Sequence, residues 1–145
     1  RDTDRSRGLG DVYKRQELLA ADGLDLTEKD SYIDSREKVH FNRLSAAERK
    51  ALIEKNPAYG RVICRCETVT EGEILDAIHS PIPPVSVDGI KRRTGAGMGR
   101  CQGGFCGPRV VDLLARELGV SPLTILQDRD GSEILTAYTK GEVRA

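Results

Sequence analysis

The chain has four cysteines, and they fall into two close pairs, Cys64 with Cys66 and Cys101 with Cys106. Cysteines one residue apart are poorly placed for a disulfide with each other, because a disulfide requires a particular Cα separation and dihedral angle. Their thiolates can nevertheless bind one metal centre together. The pattern therefore predicts a metal site in which all four cysteines, Cys64, Cys66, Cys101 and Cys106, are ligands.

The second cysteine pair lies in the glycine-rich sequence RTGAGMGRCQGGFCGP. Glycine allows positive φ and lets the backbone pass close to a ligand. Successive backbone amides in such a segment can point at negatively charged groups. We therefore expect this segment to be a loop that wraps an anionic metal–sulfur centre.

Four thiolates can hold either a tetrahedral zinc ion or an iron–sulfur cluster. Structural zinc usually uses pairs with two to four intervening residues. The Cys64–Cys66 pair is tighter than that, whereas a [2Fe–2S] cluster presents two irons over a larger volume. The spacing favours a [2Fe–2S] cluster. The alternative is an interaction module without a redox role, in which a structural zinc or a redox-silent cluster stabilises a small helical domain. Colour and reducibility distinguish a redox-active cluster from this alternative.

Basic residues surround both cysteine pairs. A [2Fe–2S] centre with four cysteine ligands is an anion, and it gains a further negative charge on reduction. Cys106 is also expected at a helix N-terminus, where the helix dipole favours negative charge by about 0.3–1 kcal/mol. The flanking cations are Arg61, Arg65, Arg100 and Arg109, with Lys91, Arg92 and Arg93 leading into the loop. An ordinary solvated face explains the last three equally well.

The composition describes a polar chain of 145 residues with 38% hydrophobic residues, 32% charged residues and zero formal net charge. The neutral charge and the lack of aromatic residues within KRRTGAGMGR argue against nucleic-acid binding. A thiol-redox role has little support without a C-x-x-C pair. The sequence contains no apolar run near the roughly 20 residues of a transmembrane segment. Reduced thiols with a metal fit a cytoplasmic protein.

The first part of the chain differs in character from the rest. Residues 1–16 lack apolar periodicity, and residues 6–16 match the in-frame translation of a transposon-based sequencing adapter. We interpret residues 1–16 as a library artefact. Residues 17–43 are expected to be the end of another, missing domain and an extended polar connector. Within them, ELLAADG has the pattern of a helix end.

Capping signals predict the helices that follow. Ser45 and Thr70 each begin a capping box, with a glutamate three residues later, for helices ending near Lys55 and His79. A third short helix is expected over residues 86–93, and a longer one from Pro108 to Gly119. A short helix should follow over residues 122–126. Residues 128–132 read as a turn, and residues 134–138 as a strand or a docking tail.

The sequences ICRCETVTEGEI and GMGRCQGGFCGP resemble the bacterioferritin-associated-ferredoxin-like [2Fe–2S]-binding domain. The form at the C-terminus of FAD-dependent oxidoreductases similar to glycerol-3-phosphate dehydrogenase and 2-hydroxyglutarate oxidase is the most similar. The resemblance implies that Cys64, Cys66, Cys101 and Cys106 are the cluster ligands. It also implies a mostly α fold of several short helices, with the cluster near the surface in loops.

The expected organisation is an extended linker, a linker helix over residues 44–58, a [2Fe–2S]-binding domain over residues 59–127 and a tail over residues 128–145. Four residues between Cys101 and Cys106, rather than two, leave the loop geometry open. The flavin-binding glycine motif of the oxidoreductases is absent from this sequence, and the resemblance places FAD in the missing N-terminal part.

The function expected from this resemblance is electron transfer. The cluster would accept electrons from the flavin domain of the parent oxidoreductase and pass them to an external acceptor or a further redox subunit. No residue reads as a convincing general base or nucleophile, so the chain itself is not expected to be catalytic. His40 and His79 read as solvated or capping residues.

Overall fold

The computed structural model describes residues 14–24 and 38–138, and the chain divides into two compact units, residues 1–37 and 38–145. In the first unit, residues 14–21 are helical. The amide of Leu24 donates to the carbonyl of Leu19 at 3.1 Å, and Gly23 has a φ of 74°. The helix therefore ends at a glycine in the left-handed conformation, as the sequence ELLAADG predicts. The helix also includes the last residues of the predicted adapter segment, while the predicted connector over residues 25–37 lies outside the described residues.

The second unit is mostly helical, as expected. Its α-helices in the described residues are α1 (Ala46–Lys55), α2 (Glu71–Ile78), α3 (Val87–Thr94) and α4 (Gly107–Leu118). Ser45 and Thr70 form the predicted capping boxes, and Ser86 caps α3. The predicted short helix after Ser121 is a single 3₁₀ turn, Pro122–Thr124. None of the helices in the described ranges combines the length and the apolar character needed to cross a membrane.

A small antiparallel hairpin carries the first cysteine pair. Strand β1 (Val62–Cys64) pairs with β2 (Val69–Thr70), with Val62 opposite Thr70 and Cys64 opposite Val69. The register is irregular between these two pairs. The sequence analysis did not predict this hairpin. The hairpin places Cys64 on a strand and Cys66 in the connecting turn.

The hydrophobic core lies between the hairpin and helices α2, α3 and α4. The side chains of Ile74, Ile90 and Leu114, from these three helices in turn, are fully buried. Burying one such side chain stabilises the fold by about 1.5–3 kcal/mol. Cys64 and Cys106 belong to the same buried cluster. Helix α1 contributes no buried residue and lies outside this core.

The prediction of an extended connector is wrong at the C-terminal end of that segment. Residues Phe41–Arg43 form a 3₁₀ helix, and the Phe41 side chain is only 7% exposed. The amide of Phe41 donates to Oε1 of Glu73 at 3.1 Å, and the Arg49 guanidinium lies 5.2 Å from the centre of the Phe41 ring. Phe41 therefore packs within its own unit, where the cation–π contact with Arg49 stabilises the buried ring.

A second close contact packs the segment before the hairpin onto α2. The 3₁₀ helix Pro57–Gly60 holds the ring of Tyr59 against Gly72. A Cβ atom at position 72 would lie only 2.6 Å from that ring, so only glycine permits the contact. The Tyr59 hydroxyl donates to the Asp76 carboxylate.

The C-terminal end of the described region contains the predicted turn at residues 128–132 but no strand over residues 134–138. Backbone pairing before this segment is limited to an isolated antiparallel β-bridge between Leu126 and Glu133. Ile134 and Leu135 are each 40% exposed, and they line an apolar cavity of about 420 Å³ together with Val110 and Val111. The strand prediction is therefore wrong, since these residues have no partner strand in the described region.

Glu71 joins the hairpin to two helices. It is a buried residue at the start of α2, and its carboxylate accepts hydrogen bonds from Arg61 and, at 3.2 Å, from Arg116 on α4. Burial acts to raise the pKa of Glu71, but the two arginine hydrogen bonds outweigh it and hold the pKa below its ordinary value of 4.5. The charged form of Glu71 is therefore the form that stabilises the fold.

We predict that Glu71→Gln lowers the free energy of unfolding at pH 7 by about 1–2 kcal/mol, because charged hydrogen bonds are lost. A carboxyl group whose pKa is lower in the folded than in the unfolded state stabilises the fold at pH values above its unfolded pKa. This stabilisation is lost as the pH falls through the folded pKa. The difference between Glu71→Gln and the unmodified chain should therefore shrink below about pH 4.5. Urea unfolding measured from pH 7 to pH 3 checks this. The exposed carboxylate variant Glu54→Gln serves as the control, and a Glu71→Gln effect that does not change with pH would contradict the prediction.

Candidate metal centre

The four cysteines come together from the hairpin and from the glycine-rich loop before α4. Cys64 lies on β1 and is 1% exposed, and Cys106 is the N-cap of α4 and is 2% exposed. Cys66, in the hairpin turn, is exposed, and Cys101, in the loop, is half-buried. The candidate centre thus has a buried side and a solvent side.

One cysteine of the hairpin lies close to one of the loop, with Sγ of Cys66 3.7 Å from Sγ of Cys101. The other two, Cys64 and Cys106, belong to one buried cluster, and the Cys64 thiol contributes to raising the pKa of Cys106. All four are free thiols. The structure therefore places Cys66 beside Cys101 and buries Cys64 and Cys106 in one cluster, while the assignment of all four as ligands of one centre stays a prediction.

The 3.7 Å separation between the Cys66 and Cys101 sulfurs fits a metal site. Two thiolates on one tetrahedral metal, with metal–sulfur bonds of about 2.3 Å, lie roughly 3.8 Å apart. Each iron of a [2Fe–2S] cluster needs two terminal ligands, so four cysteines would be sufficient for both irons. In residues 14–24 and 38–138, no group of three or more His, Cys, Asp or Glu side chains is arranged around a single metal ion.

Backbone amides of the loop favour the charged form of Cys101. The amide of Phe105 contributes most to lowering the pKa of Cys101, followed by the hydrogen bond from the Cys66 thiol. The amides of Gly103 and Gly104 lower it further. This is the behaviour that the glycine-rich loop predicts, because amide dipoles stabilise a thiolate whether or not a metal is bound to it.

Cys106 behaves differently. Burial, and then the neighbouring Cys64 sulfur, raise the pKa of Cys106 to about 11. The expected helix N-terminus is present at Cys106. The dipole of the helix favours the thiolate, but the free energy of removing a thiolate from water is larger than the stabilisation by one helix terminus. A metal that binds Cys106 must therefore displace a proton from it.

Gly99 fits closely against the first cysteine pair. A Cβ atom at position 99 would lie 2.2 Å from Cβ of Cys66, 3.2 Å from its Sγ and 3.0 Å from Oε1 of Glu67. No real Cβ atom approaches another so closely. The absence of a side chain at residue 99 is what allows the loop to approach the hairpin turn and bring Cys101 beside Cys66.

Two further residues of the site were missed by the sequence analysis, Thr68 and Gln102. Both have positive φ, 54° and 47° respectively, although neither is glycine. Positive φ is unfavourable for a β-branched residue such as Thr68. Gln102 directly follows Cys101, and its side-chain amide donates to the carbonyls of Met98 and Gly99 at 3.1 and 3.0 Å. No motif marks either residue; only the backbone geometry shows that each turns the chain beside a ligand.

The predicted basic surroundings divide into two groups. Arg61 pairs with Glu71, Arg92 pairs with Asp88 and Asp128, and Arg93 donates to the carbonyl of Ile82. Arg65, Arg100 and Arg109 are exposed, and none of the three has an ion-pair partner among the described residues. Within the described residues, this second group is therefore the one whose positive charge is not matched by an ion-pair partner.

The two histidines lie at helix ends, and the His40 side chain makes no capping hydrogen bond there. His40 is the N-cap residue of the Phe41–Arg43 turn. His79 ends α2, and its Nε2 lies 2.8 Å from Oε2 of Glu117. Neither contributes a ligand to the paired sulfurs.

Comparison with known proteins gives an independent view of the same segment. Residues 62–116 match the BFD-like [2Fe–2S] binding domain. The chain is 55% identical over 104 residues to a glycerol 3-phosphate dehydrogenase of Caloramator mitchellensis, covering 72% of this chain and 22% of that protein. No solved structure matches the chain significantly.

Two further relatives are subunits of larger enzymes. The hydrogen cyanide synthase subunit HcnB of Pseudomonas aeruginosa is 38% identical over 126 residues, covering 79% of this chain and 25% of that protein. One of the subunits of the anaerobic glycerol-3-phosphate dehydrogenase of Escherichia coli is 36% identical over 66 residues, covering 46% of this chain and 12% of that protein. The chain therefore spans a quarter or less of the length of these relatives. Its matched segment, which contains the four cysteines and the helix that follows them, belongs to the BFD-like [2Fe–2S]-binding family.

Proposed function

We propose that the chain is an electron-transfer module in which Cys64, Cys66, Cys101 and Cys106 hold a [2Fe–2S] cluster. The observation that carries the proposal is the approach of the Cys66 and Cys101 sulfurs, from two different segments, to 3.7 Å. A bound [2Fe–2S] cluster supplies one-electron chemistry. The protein supplies the ligands, the amide hydrogen bonds and a partly dry environment.

The difference in exposure among the four cysteines indicates on which side of the centre electrons would be transferred. Cys64 and Cys106 lie in the hydrophobic core and exclude water from their side of the centre. Cys66 is exposed, and the Phe105 amide donates to the neighbouring Cys101 sulfur. Amide hydrogen bonds to sulfur and solvent exposure are the factors through which a protein adjusts the potential of such a centre. Electrons would enter and leave on the side of Cys66 and Cys101.

The relatives support a larger redox enzyme around this module. They are a dehydrogenase and subunits of a dehydrogenase and a synthase, each at least four times as long as the matched segment. We propose that the electron donor is the FAD domain of a parent oxidoreductase of the glycerol-3-phosphate dehydrogenase type, and that a further redox subunit or an external protein accepts the electrons. Four reduced thiols at a metal centre suit the cytoplasm.

We predict that the chain, expressed anaerobically, contains about two irons and two sulfides per molecule, as a [2Fe–2S] cluster requires. Its visible absorption should bleach when dithionite adds one electron. Iron, sulfide and zinc analysis with a spectrum before and after reduction checks this. Stoichiometric zinc in a colourless protein would instead show a structural metal module and overturn the proposal.

We predict that Gly99→Ala strongly lowers cluster content, because its Cβ would overlap that of Cys66 at 2.2 Å. Gly107→Ala is the matched control, since a Cβ there meets nothing within 4 Å. We expect the control to keep its iron and sulfide and Gly99→Ala to retain less than about a third, in line with a contact that cannot relax without moving a ligand. Equal iron content in the two variants would show that the close approach of Gly99 to Cys66 is not needed.

A further inference from the structure

The four cysteines of this chain differ in how easily a dissolved molecule can reach them. Cys66 is exposed and Cys101 is half-buried, whereas Cys64 and Cys106 are 1% and 2% exposed. An oxidant must contact a sulfur before it can react with it, so thiols that are open to solvent are modified and buried thiols are inert. In a chain that carries no metal, Cys66 and Cys101 are therefore the thiols open to oxidation.

The two accessible thiols also lie close to each other. Their sulfurs are 3.7 Å apart, although the two cysteines are 35 positions apart in the sequence. The S–S bond of a disulfide is about 2.05 Å long, so the two sulfurs would have to approach each other by roughly 1.7 Å. Neither Cys66 nor Cys101 is part of a helix or a strand. Side-chain rotation with a small movement of the loop can therefore supply this approach.

The competing disulfides are less favourable. Cys64 and Cys66 are one residue apart, which is a poor fit to the Cα separation and dihedral angle that a disulfide requires. Cys64 and Cys106 both lie in the hydrophobic core. Any disulfide that uses either of these two residues would require the core to open. The disulfide between Cys66 and Cys101 is thus the one that combines proximity with access.

We propose that Cys66 and Cys101 are a redox modification site, which forms a disulfide when the chain carries no metal and meets a low-molecular-weight disulfide such as oxidised glutathione. The sequence has no C-x-x-C pair, and the fold creates the thiol pair by bringing two segments together. The disulfide would occupy two of the four candidate ligands and prevent cluster assembly until it is reduced. This consequence rests on the electron-transfer function proposed above, whereas formation of the disulfide does not.

The reaction is a thiol–disulfide exchange in two steps. The thiolate of Cys66, the more exposed of the two, attacks one sulfur of oxidised glutathione, so that a mixed disulfide forms and one glutathione thiolate leaves. The thiolate of Cys101 then attacks the Cys66 sulfur of the mixed disulfide, and the second glutathione thiolate leaves. The two cysteines are oxidised, one oxidised glutathione is reduced to two glutathione molecules, and these molecules take up the two protons.

Mapping the disulfide in the full, metal-free chain tests the inference. The metal is removed anaerobically with a chelator and a reductant, oxidised glutathione replaces the reductant, and free thiols are alkylated before mass spectrometry of tryptic peptides. Trypsin cleaves after Arg65 and so separates Cys64 from Cys66, while fragmentation distinguishes Cys101 from Cys106.

The distribution of the disulfide among the cysteines is the result that decides. Four thiols allow six pairings, so unselective oxidation would place about one sixth of the disulfide in each. We expect the disulfide between Cys66 and Cys101 to account for about four fifths or more, because buried thiols are inert. The chain unfolded in guanidinium chloride is the control. There the disulfide between Cys101 and Cys106 should prevail, since closing a shorter loop costs less conformational entropy.

Variants test whether the approach of the loop to the hairpin sets the rate. Gly99→Ala should slow disulfide closure about fivefold or more, because its Cβ would lie 2.2 Å from that of Cys66. Gly107→Ala, whose Cβ meets nothing within 4 Å, should close at the rate of the unmodified chain. Cys101→Ser should stop at the mixed disulfide of Cys66 with glutathione, because the thiol that completes the exchange is missing.

Reconstitution with ferrous iron and sulfide tests the consequence for the cluster. The oxidised chain should take up less than about a tenth of the iron that the reduced chain takes up, and dithiothreitol should restore uptake, because the thiolate is the metal ligand. Undiminished uptake by the oxidised chain would overturn this consequence.

The remaining outcomes separate the inference from the proposed function. Unselective pairing, a disulfide mainly between Cys101 and Cys106, or no disulfide in the metal-free chain would overturn the inference and leave the electron-transfer function standing. If the reduced chain takes up no cluster, the proposed function fails, while a selective disulfide between Cys66 and Cys101 would still establish the modification site.

Discussion

Two of the four cysteines lie inside the hydrophobic core, and most of the structure follows from accommodating them. Cys64 and Cys106 are 1% and 2% exposed and belong to the same buried cluster as Ile74, Ile90 and Leu114. A buried thiolate without a partner is costly, which is why the pKa of Cys106 rises to about 11. A metal centre relieves that cost by supplying positive charge where water cannot reach. Packing of the core and binding of the centre are therefore coupled, since the side chains that surround Leu114 also hold the ligands.

The other two cysteines depend on backbone geometry rather than on the core. Cys66 is held in a short hairpin turn that ends at Thr68, and Cys101 in a loop that continues through Gln102, and both of these following residues have positive φ. Positive φ at non-glycine residues persists only where surrounding contacts enforce it, and it is concentrated at functional sites. In this chain the Gln102 side chain ties its own loop to the Met98 and Gly99 carbonyls, and Gly99 allows that loop to approach Cys66. The result is one buried pair of sulfurs and one accessible pair.

The helices of this domain could be predicted from sequence because each has a local signal. Ser45 and Thr70 begin capping boxes, and the apolar residues from Val110 to Leu118 recur at helical spacing. The hairpin could not be predicted, since strands of three and two residues carry no usable periodicity. The packing of Phe41 could not be predicted either, because no local sequence signal indicates its contacts with Glu73 and Arg49. Cysteine spacing singles out the four candidate ligands, whereas the approach of Cys66 to Cys101 and the close contact at Gly99 depend on the fold.

Mössbauer spectroscopy of the chain enriched in ⁵⁷Fe tests the central claim most directly, namely that the paired thiols of Cys64, Cys66, Cys101 and Cys106 hold two coupled irons. The account predicts a diamagnetic spectrum for the oxidised protein, with all the iron in tetrahedral sulfur coordination, because two ferric ions in a [2Fe–2S] cluster are magnetically coupled. After one-electron reduction, one iron of each pair should become ferrous and the other should remain ferric. A paramagnetic spectrum from single, uncoupled irons would contradict a [2Fe–2S] cluster at these four cysteines.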